Sequence, residues 1–116
     1  MQSPNLSFTL EGKIFKPLQQ ADHGEVDDET RFHYRQKGEI IWATYEGGAI
    51  IFGTLSGYME GSRLFFTYQH RNQAGKFMTG SCETQIELKG DKLLLHESWQ
   101  WTSGDQAKGK SVLQEV

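Results

Sequence analysis

One carboxylate in this sequence belongs to an otherwise apolar alternating row. Alternate residues of an extended chain share a face, and one such face would carry Leu93, Leu95, Glu97, Trp99 and Trp101. Loss of hydration there raises the pKa of a carboxyl group unless a tyrosine, histidine or arginine supplies a hydrogen bond. We therefore expect Glu97 either to anchor a polar ligand group or accept a proton, or to hold the fold together through a tyrosine or histidine partner.

Two further side chains could take part in chemistry. His70 could pair with Glu97 or donate to a ligand, although its position near a strand end also allows simple exposure to solvent, which we favour. Cys82 would be nucleophilic only if a neighbour lowered its pKa. Buried among aromatic residues it is expected to be an inert, small hydrophobic side chain.

The spacing of potential ligands predicts neither a metal site nor a cofactor. The histidines His23, His33, His70 and His96 form no His-x-x-x-His pair, and the sequence has a single cysteine. The segment 80–84, GSCET, lacks the second glycine of a nucleophile elbow. A hydrolase triad is therefore not expected.

The length and charge of the chain favour one cytoplasmic domain spanning residues 1–116. Its 12 Lys and Arg residues are outnumbered by 15 Asp and Glu residues and form no basic stripe, which argues against nucleic-acid binding. The first ten residues do not resemble a secretory signal, and no apolar run approaches the roughly 20 residues that cross a bilayer. A single cysteine fits a reducing compartment.

Periodicity of two dominates the sequence. Runs rich in Thr, Tyr, Phe, Trp and Ile alternate with glycine-containing breaks that suit tight hairpin turns. We predict eight strands, at about 12–18, 29–37, 39–46, 49–58, 62–71, 76–89, 92–102 and 109–115. Closure into an all-β, antiparallel up-and-down barrel would remove their unpaired edges, and a two-sheet sandwich is the alternative.

Turn lengths predict which residues face the barrel interior, because they fix the pairing register. Two-residue turns at 37–38, 47–48 and 90–91 and a three-residue turn at 73–75 are compatible with one apolar face if the turn near Gly61 also has three residues. That face would carry Phe32, Tyr34, Ile41, Ala43, Tyr45, Ile50, Phe52, Tyr58, Leu64, Phe66, Tyr68, His70, Met78, Cys82, Ile86, Leu93, Leu95, Glu97, Trp99 and Trp101.

A subset of these residues is predicted to line a ligand site, because tyrosine combines apolar area with a hydroxyl group. Alternatively, the hydroxyls reach the barrel rim and contact water. The predicted lining is Tyr34, Tyr45, Tyr68, His70, Glu97, Trp99 and Trp101.

The outer face is predicted to carry an apolar patch, which often marks an interface. Its residues are Ile40, Trp42, Ile51, Leu55 and Phe65. We expect a homodimer through this patch, unless the register is wrong.

Several short segments of the sequence resemble those of a known family. They are Phe32-His33-Tyr34, Trp42-Ala43, Tyr68-Gln69-His70 and the run 97–105, ESWQWTSGD. Together they resemble short bacterial proteins catalogued as "N-acetylglutamate synthase", which implies a lipocalin-like barrel from about Phe15 onward. Acetyl transfer from acetyl-CoA would need a glycine-containing loop that opens a helix, and the sequence has neither, so that activity is not expected.

These observations leave three hypotheses for function. The leading one is a protein that binds a small, partly apolar molecule inside the barrel. The second is a small isomerase or hydrolase that uses Glu97 or His70 in acid–base catalysis. The third is a dimeric structural module with a filled core.

Overall fold

The computed structural model describes residues 9–19 and 24–116, and all regular structure in these two segments is β. The strands are β1 (Ile14–Gln19), β2 (Arg31–Lys37), β3 (Ile40–Gly47), β4 (Ile50–Glu60), β5 (Arg63–Asn72), β6 (Phe77–Lys89), β7 (Lys92–Trp101) and β8 (Lys108–Glu115). Each strand pairs antiparallel with the next, and β8 returns to β1. The predicted closed, up-and-down, eight-stranded barrel is confirmed.

The register of β5, β6 and β7 agrees with the turn-based prediction. His70 lies opposite Met78, and Tyr68 lies opposite Gly80. In the next hairpin, Thr84 pairs with Glu97 and Cys82 pairs with Trp99. These pairings place the Glu97 row on the interior face.

A β-bulge in β4 overturns part of the predicted interior. The pairing shifts by one residue between Ile50 and Phe52, so Ile51 and Phe52 both point outward and the alternation beyond them is reversed. Phe52, predicted inside, is 52% exposed, whereas Leu55, predicted in the outer patch, is 4% exposed. The same reversal leaves Tyr58, predicted inside, 47% exposed.

The turns of the first half also differ slightly from the prediction. Glu60 pairs with Arg63, so the turn there has two residues, and the bulge supplies the extra residue that was expected in the turn. In the first hairpin Tyr34 pairs with Ala43 instead of Ile41. A shift of two residues preserves the face, so Tyr34 still points inward.

Interior aromatic rings lie over cross-strand glycines. The Tyr45 ring covers Gly53 and the Tyr68 ring covers Gly80, so closely that a Cβ atom at either glycine would overlap the ring. The same arrangement recurs for Trp99 over Gly109. Glycine is needed at these positions because any side chain would occupy the space of the ring.

No helix in the described segments is long and apolar enough to cross a membrane.

Candidate functional site

Glu97 lies inside the barrel, as the alternation predicted. The residues of β7 on its face, Leu93, Leu95, Trp99 and Trp101, are all buried, and Glu97 itself is 8% exposed. The two neighbouring strands contribute Thr84 and Ser111 directly opposite Glu97.

The Glu97 carboxyl group has one hydrogen bond among the described residues. Ser111 Oγ donates to Glu97 Oε1 at 3.1 Å. Burial raises the pKa of Glu97 from 4.5 to about 7, and the Ser111 hydrogen bond offsets this only in part. A carboxyl group with this pKa exchanges a proton near neutral pH, and Oε2 can still accept a hydrogen bond from another molecule.

Two phenol groups near Glu97 have no hydrogen-bond partner among the described residues. These are the buried hydroxyls of Tyr34 and Tyr68. Burial raises the pKa of both phenols, and the negative charge of Glu97 raises it further. Both groups therefore stay protonated and could donate to or accept from a ligand.

His70 is buried on the interior face, as the turn-based register predicted, and is not exposed at a strand end. It belongs to a separate hydrogen-bonded network. Its Nε2 lies 2.8 Å from Glu25 Oε1, and its Nδ1 lies 2.9 Å from the Tyr45 hydroxyl. Because an ionised carboxylate only accepts, Nε2 donates to Glu25, and Nδ1 of a neutral imidazole then accepts from Tyr45. Asn72 Nδ2 donates to the other oxygen of Glu25 at 3.0 Å. Both nitrogens of His70 are thus engaged, and neither contacts Glu97.

The segment Gly24–Val26, here called the strap, supplies the part of the site that is not strand. It belongs to the connection from β1 to β2, and its Glu25 bridges to His70 and Asn72 on β5. Val26 packs against the hydrophobic core. The strap therefore closes one side of the interior.

An interior cavity of about 50 Å³ lies between the strap and Glu97. Six of the seven predicted lining residues border it, namely Tyr45, Tyr68, His70, Glu97, Trp99 and Trp101, together with all three strap residues, Phe32, Leu55, Cys82 and Ser111. Tyr34 is the exception. Its ring packs edge-on against Phe15 with centroids 5.3 Å apart.

Several aromatic rings border the cavity. Trp101 lies at the centre of this group, with its ring centroid 5.6 Å from that of Tyr68 and 5.6 Å from that of Trp99. Phe32 stacks on Tyr45 with centroids 4.8 Å apart. The wall thus offers a large apolar area with few polar atoms, which is typical of a small-molecule site.

Cys82 lines the same cavity, but it is a weak nucleophile. Burial raises the pKa of its thiol well above the ordinary value, and the nearby charge of Glu97 adds to that effect. The thiol therefore remains protonated, as expected of an inert buried cysteine. Within the described segments no group of three or more His, Cys, Asp or Glu side chains could hold a metal ion.

Two residues of the site were not predicted from the sequence. Ser111 would have followed from a register for β8, since it is the direct partner of Glu97 in the ladder. Glu25 lies outside the strands, where no periodicity places a side chain.

A comparison with protein families identifies the group to which this barrel belongs. The avidin-like protein family matches residues 8–116. The chain belongs to the avidin-like family. The resemblance to the proteins catalogued as "N-acetylglutamate synthase" was therefore misleading, and the barrel is avidin-like, not specifically lipocalin-like. The short segments that carried that resemblance lie partly in turns and at exposed strand positions. The fold type does not determine the residues at such positions.

A solved structure supports the same fold. Apo shwanavidin superimposes with a TM-score of 0.66 at 12% sequence identity, over 91% of this avidin-like chain and 98% of the shwanavidin chain. At this identity the similarity concerns the fold. A search of curated proteins found no match.

Proposed function

We propose that this avidin-like barrel binds one small organic molecule in its interior, with the polar end of the molecule against Glu97. The supporting observation is a pair of polar atoms on residues that border the cavity, Glu97 Oε2 and the Tyr68 hydroxyl, which have no hydrogen bond to any residue of the described segments. Each such group costs roughly 1–3 kcal/mol when it has no partner. A ligand that bonds to both would remove that cost.

The size of the cavity bears on how a ligand enters. Pockets for drug-sized molecules measure roughly 300–1,000 Å³, whereas this cavity measures about 50 Å³. Only a small head group fits beside Glu97 while the strap is in place. We infer that a larger molecule enters by displacing the strap. The two hydrogen bonds that join Glu25 of the strap to β5 would then have to break.

The network around His70 favours binding over acid–base catalysis. A histidine that acts as a general base must have a ring nitrogen within reach of the substrate proton. Both ring nitrogens of His70 are already hydrogen-bonded to protein groups. Glu97 is the group that remains able to exchange a proton with a bound molecule.

Native mass spectrometry of the purified protein, combined with thermal unfolding, tests this proposal. We expect either a bound small molecule or a rise in Tm with at least one compound of a metabolite panel, because a ligand that binds only the folded state stabilises it. Biotin belongs in the panel because streptavidin, another eight-stranded barrel, binds it. Biotin is larger than the cavity, so its binding would require movement of the strap.

The matched variants are Glu97→Gln and Glu87→Gln. Both remove one carboxylate, but Glu87 lies on the outer face beside His96. Loss of the ligand effect in Glu97→Gln alone would support the interior site. Equal loss in both variants, or no ligand at all, would contradict the proposal.

We also propose self-association through a revised outer patch. After correction for the bulge, Ile40, Tyr58 and Phe65 are neighbours on β3, β4 and β5, and the last two rings stack with centroids 5.3 Å apart. Tyr58 and Phe65 border a shallow depression of about 860 Å³ across β4 to β8. Tyr58→Glu should weaken the association in sedimentation experiments, because it places a charge in a desolvated contact. A wild-type protein that stays monomeric at high micromolar concentration would contradict the proposal.

A further inference from the structure

The cavity has an unusual charge balance. Among the described residues, its lining contains two carboxyl groups, Glu25 and Glu97, and neither lysine nor arginine. Glu25 is hydrogen-bonded to His70 and Asn72, whereas Glu97 receives a hydrogen bond only from the neutral Ser111 among the described residues. A charged carboxylate in an apolar interior is unfavourable unless a cation accompanies it, and the described part of the lining supplies no such cation for Glu97.

The groups around Glu97 are also suited to accept hydrogen bonds. An ionised carboxylate only accepts, and a phenol oxygen can accept as well as donate. The hydroxyls of Tyr34 and Tyr68 have no partner among the described residues. Tyr68 borders the cavity, so its oxygen and Glu97 Oε2 could together receive N–H groups from a single guest.

The aromatic wall favours the same type of guest. The faces of Trp, Tyr and Phe rings carry negative charge density and attract a cation within about 6 Å of the ring centre. Trp99, Trp101 and Tyr68 form one continuous group of rings at 5.6 Å centroid spacing beside the cavity. Rings and a carboxylate on one cavity are the combination that recognises ammonium and guanidinium groups.

The volume limits the size of that group. A cavity needs at least about 10–15 Å³ for each water-sized guest, so about 50 Å³ holds about three to five such units. A methylammonium or guanidinium group is of this size.

We propose that the part of the ligand bound beside Glu97 is a small organic cation with several N–H donors, a primary ammonium or a guanidinium group. This inference rests on the proposed binding function and specifies the ligand class for the same cavity. The cation supplies the counter-charge of Glu97, donates to Glu97 Oε2 and to the hydroxyl oxygen of Tyr68, and lies against the tryptophan rings.

Binding of a cation at this position is linked to proton release. The side chains that face Glu97 from the other strands are Tyr34 on β2, Tyr45 on β3, Tyr68 on β5, Cys82 on β6 and Ser111 on β8. Burial raises the pKa of the phenols and of the thiol, so all these groups are neutral near pH 7. The remaining ionisable groups of the lining, His70 and Glu25, bond to each other at the strap.

Glu97 has a pKa of about 7 in the free protein, and a cation binds its ionised form. Affinity for the cation should therefore fall about tenfold per pH unit below about pH 7 and level off above it. A neutral guest would not show this dependence.

Guanidinium and urea form a matched pair of probes, since they share one planar shape and differ in charge. We would titrate each at millimolar concentration into the full-length protein and follow the indole N–H signals of Trp99 and Trp101 by NMR. Sodium chloride at equal ionic strength is the control for general salt effects. We expect guanidinium to bind at least about tenfold more tightly than urea at about pH 8, and to lose that advantage at about pH 5.

Glu97→Gln should remove the preference for guanidinium while urea binding persists, and Glu87→Gln should leave the preference intact. The pH series on the wild-type protein gives the same information if Glu97→Gln does not fold. Equal or tighter binding of urea at about pH 8 would overturn the cation inference and leave the binding function standing. Absence of interior signal changes with both probes would also overturn it, and failure of the metabolite panel as well would remove the binding function.

Discussion

Replacing Glu97 by Gln should stabilise the protein at neutral pH. The pKa of Glu97 is raised from 4.5 to about 7 by burial, so the folded state binds its proton more tightly than the unfolded chain does. The free energy of unfolding therefore falls as pH rises from about 4.5 to about 7, and stays at the lower level above that range. A shift of this size corresponds to about 3 kcal/mol. Gln keeps the shape of the side chain and its hydrogen bond from Ser111, and it does not ionise.

Urea-induced unfolding, followed by tryptophan fluorescence between about pH 4 and pH 9, would measure this difference. We expect wild type and Glu97→Gln to be similar near pH 4, and the variant to be more stable by about 3 kcal/mol above about pH 7. Glu11 and Glu115 do not disturb this window, because their pKa values are lowered and their contributions are lost only as the pH falls below about 4.5. Glu87→Gln, an exposed carboxyl beside His96, should show no such gap.

Parallel stability curves for wild type and Glu97→Gln would refute the reasoning, because they would show that the unfolded and folded states bind the proton of Glu97 equally. A variant that is less stable at every pH would instead assign Glu97 a structural role.

Two further predictions concern the cavity wall. Gly80→Ala should push the Tyr68 ring into the cavity, lower the free energy of unfolding by about 1–3 kcal/mol and abolish ligand binding. Ser81→Ala, on the outer face, is the control and should have none of these effects. Unchanged ligand binding by Gly80→Ala in thermal-shift assays would contradict the ring-over-glycine packing. Glu25→Ala should release the strap from His70 and speed ligand association in stopped-flow fluorescence, with the exposed Glu29→Ala as control; an unchanged association rate would show that the strap does not limit entry.

The sequence was sufficient to place the Glu97 row because two independent signals agree in β5, β6 and β7. Glycine-containing turns fix the register of these hairpins, and the alternation of apolar and polar residues then selects the buried face. The Gly90 turn alone aligns Cys82 with Trp99 and Thr84 with Glu97. A register error of one residue would have placed the Glu97 side chain on the outer, solvent-exposed face of the barrel.

The bulge in β4 was missed because the segment 50–57, IIFGTLSG, is apolar on both alternations. A regular strand would bury Phe52, whereas the bulged strand buries Leu55. The positions of the glycines distinguish the bulged strand from a regular one. Only the bulged register places Gly53 opposite Tyr45, whose ring needs that space, and Gly57 opposite Phe66, where a Cβ atom would overlap the backbone of Phe65 and Phe66.

The contact between Glu25 and His70 was not predictable for a different reason. The acidic connection 24–29 has no repeating pattern, so its side chains are positioned by whatever donors the barrel presents. His70 and Asn72 are two residues apart on β5 and share the interior face, and both donate to Glu25. Their common partner is determined by three-dimensional proximity alone.

The packing of this barrel and the chemistry of its cavity impose opposite demands on Glu97. Aliphatic and aromatic side chains fill most of the interior, and an apolar residue at position 97 could complete that packing without the loss of stability that ionisation of a buried carboxyl entails. A carboxyl group at this position is therefore unfavourable for the empty protein at neutral pH, by about the free energy that its raised pKa represents. The same group becomes favourable once a guest supplies the opposite charge. Retention of folding with Gln, together with loss of guanidinium binding, would show that Glu97 serves the guest and not the fold.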